Sequence, residues 1–157
     1  MKFGGFGKMR AVLQRVRESS VTVDGKVVGE IGAGLMVLLG IEEDDTDAAI
    51  PTMVKKITDM RIFNDADDKF NLSLLDTGGS VLIISQFTLL GDCRKGRRPS
   101  FIKAARPEIA IPLYECVIAG LRDAGVEVAC GVFGAHMDVH LVNNGPVTML
   151  VDTKKIF

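Results

Sequence analysis

The sequence has no apolar stretch long enough to cross a bilayer. Its longest strongly apolar run, Leu35 to Ile41, falls far short of the ~20 residues a spanning helix needs. The first eight residues carry positive charge but no apolar segment of signal-peptide length, so nothing in them directs the chain out of the cell. Cysteine is scarce: Cys93, Cys116 and Cys130 are odd in number, widely spaced and without a Cys-x-x-Cys pair, which argues against a disulfide framework or a zinc site. Histidine is scarcer. His136 and His140 are four apart, the spacing of two metal ligands on a helix. Their segment reads better as a strand, however, and lacks the Glu of the helical metalloprotease motif, so no metal is expected. Net charge is also low, with 19 Lys and Arg against 20 Asp and Glu giving −1. A globally basic nucleic-acid binder is thereby disfavoured, while a local basic patch is not. The expectation is a soluble, cytoplasmic protein with no membrane association.

What is present suits one well-filled core. The 157 residues are 47% hydrophobic and 25% charged, the size and composition of an ordinary globular domain. Residues 1–8 read as a short N-terminal extension, with the domain spanning 9–157. Arg10 to Arg17 alternates imperfectly. Ser20 to Asp24 and Lys26 to Ile31 form a hairpin through Asp24-Gly25, because an Asp-Gly pair supplies the positive backbone angles of a tight turn. Leu35 to Ile41 reads as a strand buried on both faces. Ile50, Met53, Val54, Ile57 and Met60 fall at helical spacing, and Pro51 suits a first turn. Val81 to Ser85 is another core strand. A second helix starts at Pro107 or Pro112 and runs to Ala124, with Gly125 as its stop signal. Met137 to Val142 and Val147 to Asp152 read as two strands separated by Asn143-Asn-Gly-Pro146. Early hairpins and the absence of strand-helix alternation predict a single-domain α+β fold, β-barrel-like antiparallel sheets with two flanking helices.

Most apparent motifs have plain explanations. Gly29, Gly32 and Gly34 precede a strand, not a helix, and form a turn instead of a phosphate loop. Ser85 lacks the Gly-x-Ser-x-Gly context of a nucleophile elbow, so a serine esterase is a distant alternative. The basic run carries more. Arg94, Lys95, Arg97, Arg98, Lys103 and Arg106 put +6 into thirteen residues without an acid, leaving −7 on the rest of the chain. Such a patch on an acidic protein can hold phosphates while keeping other polyanion contacts weak. Ser85-Gln86-Phe87-Thr88-Leu89 ends a buried strand with polar and aromatic residues together. Asn143-Asn144-Gly145-Pro146-Val147-Thr148 joins two strands through Gly-Pro. An X-Pro bond is cis in only about 5–6% of folded cases, so a trans turn is the default there.

Taken together, these segments resemble the D-aminoacyl-tRNA deacylases, and the resemblance runs from Met9 along nearly the whole chain. It is carried by Met9-Arg-Ala-Val-Leu-Gln-Arg-Val16, by Ser85-Gln-Phe-Thr-Leu89, by Arg94-Lys-Gly-Arg-Arg-Pro-Ser-Phe101 and by Asn143-Asn-Gly-Pro-Val-Thr148. The resemblance implies a homodimer whose active sites lie at the interface, with a cis Gly-Pro bond. Gly145 and Pro146 of one subunit would reach into the other's pocket, their carbonyl oxygens facing the α-carbon of the bound aminoacyl group. An L side chain would then have no room, so selection works by rejecting the wrong hand. Glycyl-tRNA, with no side chain to clash, is implied as a second substrate beside D-aminoacyl-tRNA.

An aminoacyl-tRNA ester is already activated, so a placed water and one oxyanion donor suffice, and no metal or organic cofactor is required. Losing such a donor typically costs about 2.7–4 kcal/mol. The backbone N–H of Phe87 is the candidate donor, with Ser85 and Gln86 shaping the pocket. Thr88 has no base near it in sequence and is a weak nucleophile unassisted. Help from the 2′-hydroxyl of the terminal adenosine is what the resemblance implies, with Thr88 holding substrate. Arg94, Lys95, Arg97 and Arg98 are the candidate tRNA contacts. Two alternatives stay open: a non-catalytic RNA-binding module, and a close relative with a trans Gly-Pro bond that removes mischarged L-amino acids.

Overall fold

The structure, a computed structural model, describes residues 9–156. The N-terminal extension expected at residues 1–8 lies outside the described residues.

Strand β1 (Met9–Val23) is the organising element. Along one edge it pairs antiparallel first with β3 (Gly34–Ile41) and then with β2 (Lys26–Ile31), which follow each other on that side. Along the other edge it pairs antiparallel with β8 (Asp138–Asp152) over almost its whole length. The β1–β2 hairpin forms where expected: Asp24 and Gly25 both have positive φ, 49° and 77°, as a tight two-residue turn requires.

The expected antiparallel barrel is corrected in one respect. Strand β3 pairs parallel with β6 (Ser80–Ser85), and β6 pairs parallel with β7 (Val128–Cys130), so the sheet is mixed. The physical reason lies in the connections. Parallel neighbours need a long crossover, and both are long here. From β3 to β6 the chain passes through α1 (Ile50–Asp59), the short ribbon β4 (Phe63–Asn64) and β5 (Phe70–Leu72), and the single-turn α2 (Leu74–Thr77). From β6 to β7 it passes through a 3-10 turn, the basic loop and α3 (Pro107–Asp123). The sheet then curls into a nearly closed barrel, bringing β2 round against β6 and β7. Gly29 permits that approach, because a Cβ there would sit 2.6 Å from the Cys130 carbonyl oxygen.

Strand β3 is buried on both faces, as its unbroken apolar run predicts. Leu35, Val37, Leu39 and Ile41 pack with Met53 and Ile57 of α1 and Val117 and Leu121 of α3. Met36, on the opposite face, packs with Val16, Val21, Leu82 and Ile84. Each such fully buried side chain contributes about 1.5–3 kcal/mol. The helices cross closely because Gly120 faces Val54, whose Cγ2 would be 2.7 Å from an added Cβ. Among the described residues, no helix is long and apolar enough to cross a membrane.

Candidate active site

Strand β6 delivers the first motif. Ser85 is its last residue, and Gln86 stays extended while its N–H donates to the Leu39 carbonyl at 2.8 Å. The chain then tightens into a 3-10 turn, Phe87–Leu90. Phe87 opens that turn, so its N–H has no partner within the turn. Ser85, Gln86, Phe87 and Thr88 line one cleft of about 590 Å³ together with Phe133 and Met137. The Phe87 ring is more than half exposed and stands edge-on to Phe101, with centroids 5.2 Å apart.

The side chain of Thr88 is tied to its own turn. Gln86 Nε2 donates to Thr88 Oγ1 at 2.8 Å. An amide cannot take a proton from a hydroxyl, so this contact orients Thr88 without activating it. His136 lines the same cleft as Ser85, but among the described residues no hydrogen bond joins either histidine to the Ser85 hydroxyl. His136 Nε2 is 4.0 Å from Asp138 Oδ1, and His140 Nε2 is 3.3 Å from Glu18 Oε1, both on exposed surface. Among the described residues, no three His, Cys, Asp or Glu side chains group in a way that could hold a metal ion.

The second motif is built differently from its sequence reading. Instead of two strands and a connecting turn, β8 is one strand with an irregularity in its middle. Gln14 pairs with Thr148 and Val16 with Asn143, so the four residues 144–147 of β8 stand opposite the single residue Arg15. The surplus chain has to bulge away from the ladder. Gly145 sits in that bulge with φ 140°, and the Gly145–Pro146 peptide bond is cis. Both residues are exposed. Asn143 Oδ1 accepts the Val147 N–H at 2.8 Å and closes the bulge.

Arg15 fixes the bulge from beneath, a role the sequence reading missed. The residue is only 7% exposed. Its Nε donates to the Asn144 carbonyl at 2.9 Å, and its Nη1 donates to the Ile62 carbonyl at 2.9 Å and to Asn64 Oδ1 at 2.6 Å. The Phe70 ring covers the guanidinium at 5.5 Å. The β4–β5 ribbon and the adjoining Ile62, far away in sequence, thus set the shape of the Gly-Pro segment.

Within one chain the two motifs do not meet. Gly145 and Pro146 line no part of the Ser85–Thr88 cleft. The bulge lies on β8, three strands from β6 by way of β1 and β3. At about 4.8 Å per strand that is ~14 Å across the sheet, and the four-residue offset between Arg15 and Ala11 adds roughly 13 Å along it.

The basic loop leaves the 3-10 turn and is pinched shut by paired bonds between Asp92 and Ser100. Arg94, expected to contact nucleic acid, pairs with Asp92 while its side chain stays 80% exposed. Its Nε and Nη2 fork the Asp92 carboxylate at 2.9 and 2.7 Å, and its backbone N–H adds a third bond to that carboxylate. These donors hold the Asp92 carboxyl well below the usual carboxylate range. Asp92 lies just outside the thirteen-residue window, which is why the run looked free of acid. Lys95, Arg97 and Arg98 remain exposed.

The family model for D-Tyr-tRNA(Tyr) deacylase matches residues 12–152, which include both motifs and the basic loop. The chain belongs to that deacylase family. It is therefore a hydrolase of the deacylase family. A D-aminoacyl-tRNA deacylase of Thermus aquaticus is 57% identical over 147 residues, 94% of this chain and 97% of the relative. One from Clostridioides difficile is 56% identical over 149 residues, 95% of this chain and all of the relative. Among solved structures, a c-Myc DNA Unwinding Element Binding Protein superposes with a TM-score of 0.85 at 40% identity, covering 90% of this chain and 97% of that one. A chain described as a "probable eukaryotic D-amino acid tRNA deacylase" shares the fold, with a TM-score of 0.80 at 23% identity over 92% of this deacylase and 99% of its own length.

Proposed function

We propose that the protein hydrolyses the ester of D-aminoacyl-tRNA, and of glycyl-tRNA, in the cytoplasm, acting as a homodimer with its sites at the subunit interface. The observation that carries this reading is the exposed Gly145–Pro146 bulge, held rigidly by Arg15 yet remote from its own chain's Ser85–Thr88 cleft. A rigid, exposed loop that completes nothing in its own subunit is suited to complete its partner's site. The same strand carries Val142 and Leu150 exposed on its outer face, apolar positions that a second copy would cover.

In this reading the Phe87 N–H binds the ester carbonyl oxygen. Ser85 and Gln86 hold the aminoacyl group, and Thr88 steadies it. Water adds to the carbonyl carbon, and negative charge moves to the oxygen facing Phe87. Collapse of the tetrahedral intermediate breaks the bond to the ribose oxygen. The proton from water passes to that leaving oxygen with help from the neighbouring 2′-hydroxyl, releasing amino acid and tRNA. The partner's Gly145 and Pro146 carbonyls occupy the space an L side chain would need, whereas glycine presents none. Lys95, Arg97 and Arg98 meet tRNA phosphates, with Arg94 shaping their loop.

Hydrolysis of D-tyrosyl-tRNA and L-tyrosyl-tRNA by the purified protein, without added metal, tests the proposal. Rapid loss of the D ester alone is expected. Loss of neither, with nucleic acid still bound, would favour a binding module instead, a reading consistent with the DNA-binding description of the 40%-identical relative.

A further inference from the structure

We propose that Arg10 is a positioning residue for the reaction, clamping the 3-10 turn that carries the Phe87 N–H; this rests on the reading of that N–H as the oxyanion donor. Arg10, Gly40 and Asp152 form one row across the sheet, Arg10 pairing with Gly40 on β3 and with Asp152 on β8. Side chains of such a row share a face. The 3-10 turn lies on that face, directly over Gly40. A Cβ at Gly40 would be 2.6 Å from Leu90 Cδ2, 3.0 Å from Leu89 Cβ and 3.2 Å from the Gln86 carbonyl oxygen.

The turn is fixed at its start by the Gln86 N–H on Leu39. Carbonyls in the last turn of any helix lack internal partners and leave that end loose. Arg10 supplies the missing partner: its Nη1 donates to the Leu89 carbonyl at 2.9 Å. The guanidinium is itself aimed by Asp152, whose Oδ2 accepts Arg10 Nε at 3.3 Å. Asp152 is 8% exposed, and its Oδ1 accepts the Lys154 N–H at 2.7 Å. Each member of the chain Lys154–Asp152–Arg10–Leu89 thus has its direction set by the one before it. With both ends held, the Phe87 N–H keeps one direction instead of swinging with the turn. A donor of this kind works through its prior alignment with the oxygen that becomes charged.

Steady-state kinetics on D-tyrosyl-tRNA separates positioning from binding. Arg10→Ala is expected to lower kcat by roughly 10- to 100-fold, the scale on which a misplacement of about 1 Å acts, with KM little changed. Arg10→Lys should recover part of the loss, because an ammonium reaches the Leu89 carbonyl but cannot fork to Asp152 as well. In the 15N–1H spectrum the Phe87 amide should shift or broaden in Arg10→Ala, while amides of the β1–β2 hairpin stay in place. Unchanged kcat, or a Phe87 amide identical to wild type, overturns the inference. Should Arg10→Ala not fold, Arg10→Lys gives the same two readings. Wild-type protein inert toward D-tyrosyl-tRNA would defeat the proposed function, while the Phe87 amide would still report whether the clamp exists.

Discussion

Met9, Ala11 and Leu13 are fully buried on one face of β1, and the next position of that face is Arg15. The imperfect alternation read from Arg10 to Arg17 is therefore not noise: a charge sits at an inward position because the bulge opposite it needs a donor. Its three acceptors are neutral oxygens, and Arg15→Ala would leave them without it. Since a hydrogen bond to a charged group contributes about 1.5–3 kcal/mol, Arg15→Ala should lower the unfolding free energy by about 3 kcal/mol or more. Arg15→Lys, reaching fewer acceptors, should fall between, and urea denaturation of the three proteins checks the order. Thr88 makes the opposite prediction. Its hydroxyl is oriented by Gln86 and activated by nothing, so Thr88→Ala should keep turnover within about tenfold of wild type, well short of the loss expected for a nucleophile. Activity abolished in Thr88→Ala, with folding intact, would restore the attacking hydroxyl.

The local signals of the elements were legible where they lie within a few residues. Asp24-Gly25 gave the hairpin, the unbroken run gave β3, and Pro51 and Pro107 marked the first turns of α1 and α3. The one-turn helix α2 was missed, although Ser73 and Asp76 form a reciprocal capping box at its start. Four residues are too few for an apolar period to show. The basic loop was legible in composition but not in pairing, since Arg94 is taken by Asp92. Arg97→Ala with Arg98→Ala should therefore raise KM for charged tRNA and reduce the slope of log affinity against log salt by about 1.4–1.8. Arg94→Ala should leave that slope near its wild-type value. The turn after β3 carries a pH-dependent element. Asp45 Oδ2 accepts the Glu42 N–H at 2.7 Å, while its Oδ1 is buried with no hydrogen-bond partner among the described residues. Burial, reinforced by the carboxylates of Glu42, Asp44 and Asp152 against that one N–H bond, pushes the Asp45 carboxyl up to about 7 from its ordinary 3.8. The folded protein therefore keeps a proton that the unfolded chain gives up. Stability should fall as pH rises from about 4 to about 7 and stay level above, by at most about 4 kcal/mol. Asp45→Asn should flatten that part of the profile in a pH series of urea denaturations.

At the scale of the whole molecule, local signals placed both motifs, while their meeting across two subunits came only from the family resemblance. That β3, β6 and β7 run parallel depends on which distant strands pair, which no local period records. That β8 is a single strand depends on Arg15 standing opposite its surplus residues, a pairing 129 positions apart for the Arg15–Asn144 contact. The resulting layout, with a cleft at the end of β6 and an exposed bulge three strands away, makes an assembly prediction that neither motif makes alone. In a two-fold dimer each site would draw its cleft from one subunit and its bulge from the other. A cleft-side variant, Ser85→Ala with Gln86→Ala, and a bulge-side variant, Gly145→Ala, can then be combined in one molecule. At Gly145 an added Cβ would lie 2.7 Å from Val147 Cγ2 and 3.2 Å from Arg15 Nη2, so the bulge is forced to change shape. A heterodimer of the two variants has one site with both defects and one with neither. Co-expressed under two tags and purified through both, it should regain about half of wild-type turnover on D-tyrosyl-tRNA, although each parent homodimer has only impaired sites. If each site were built within one chain, the heterodimer would hold two impaired sites and its turnover would stay at the mean of its parents.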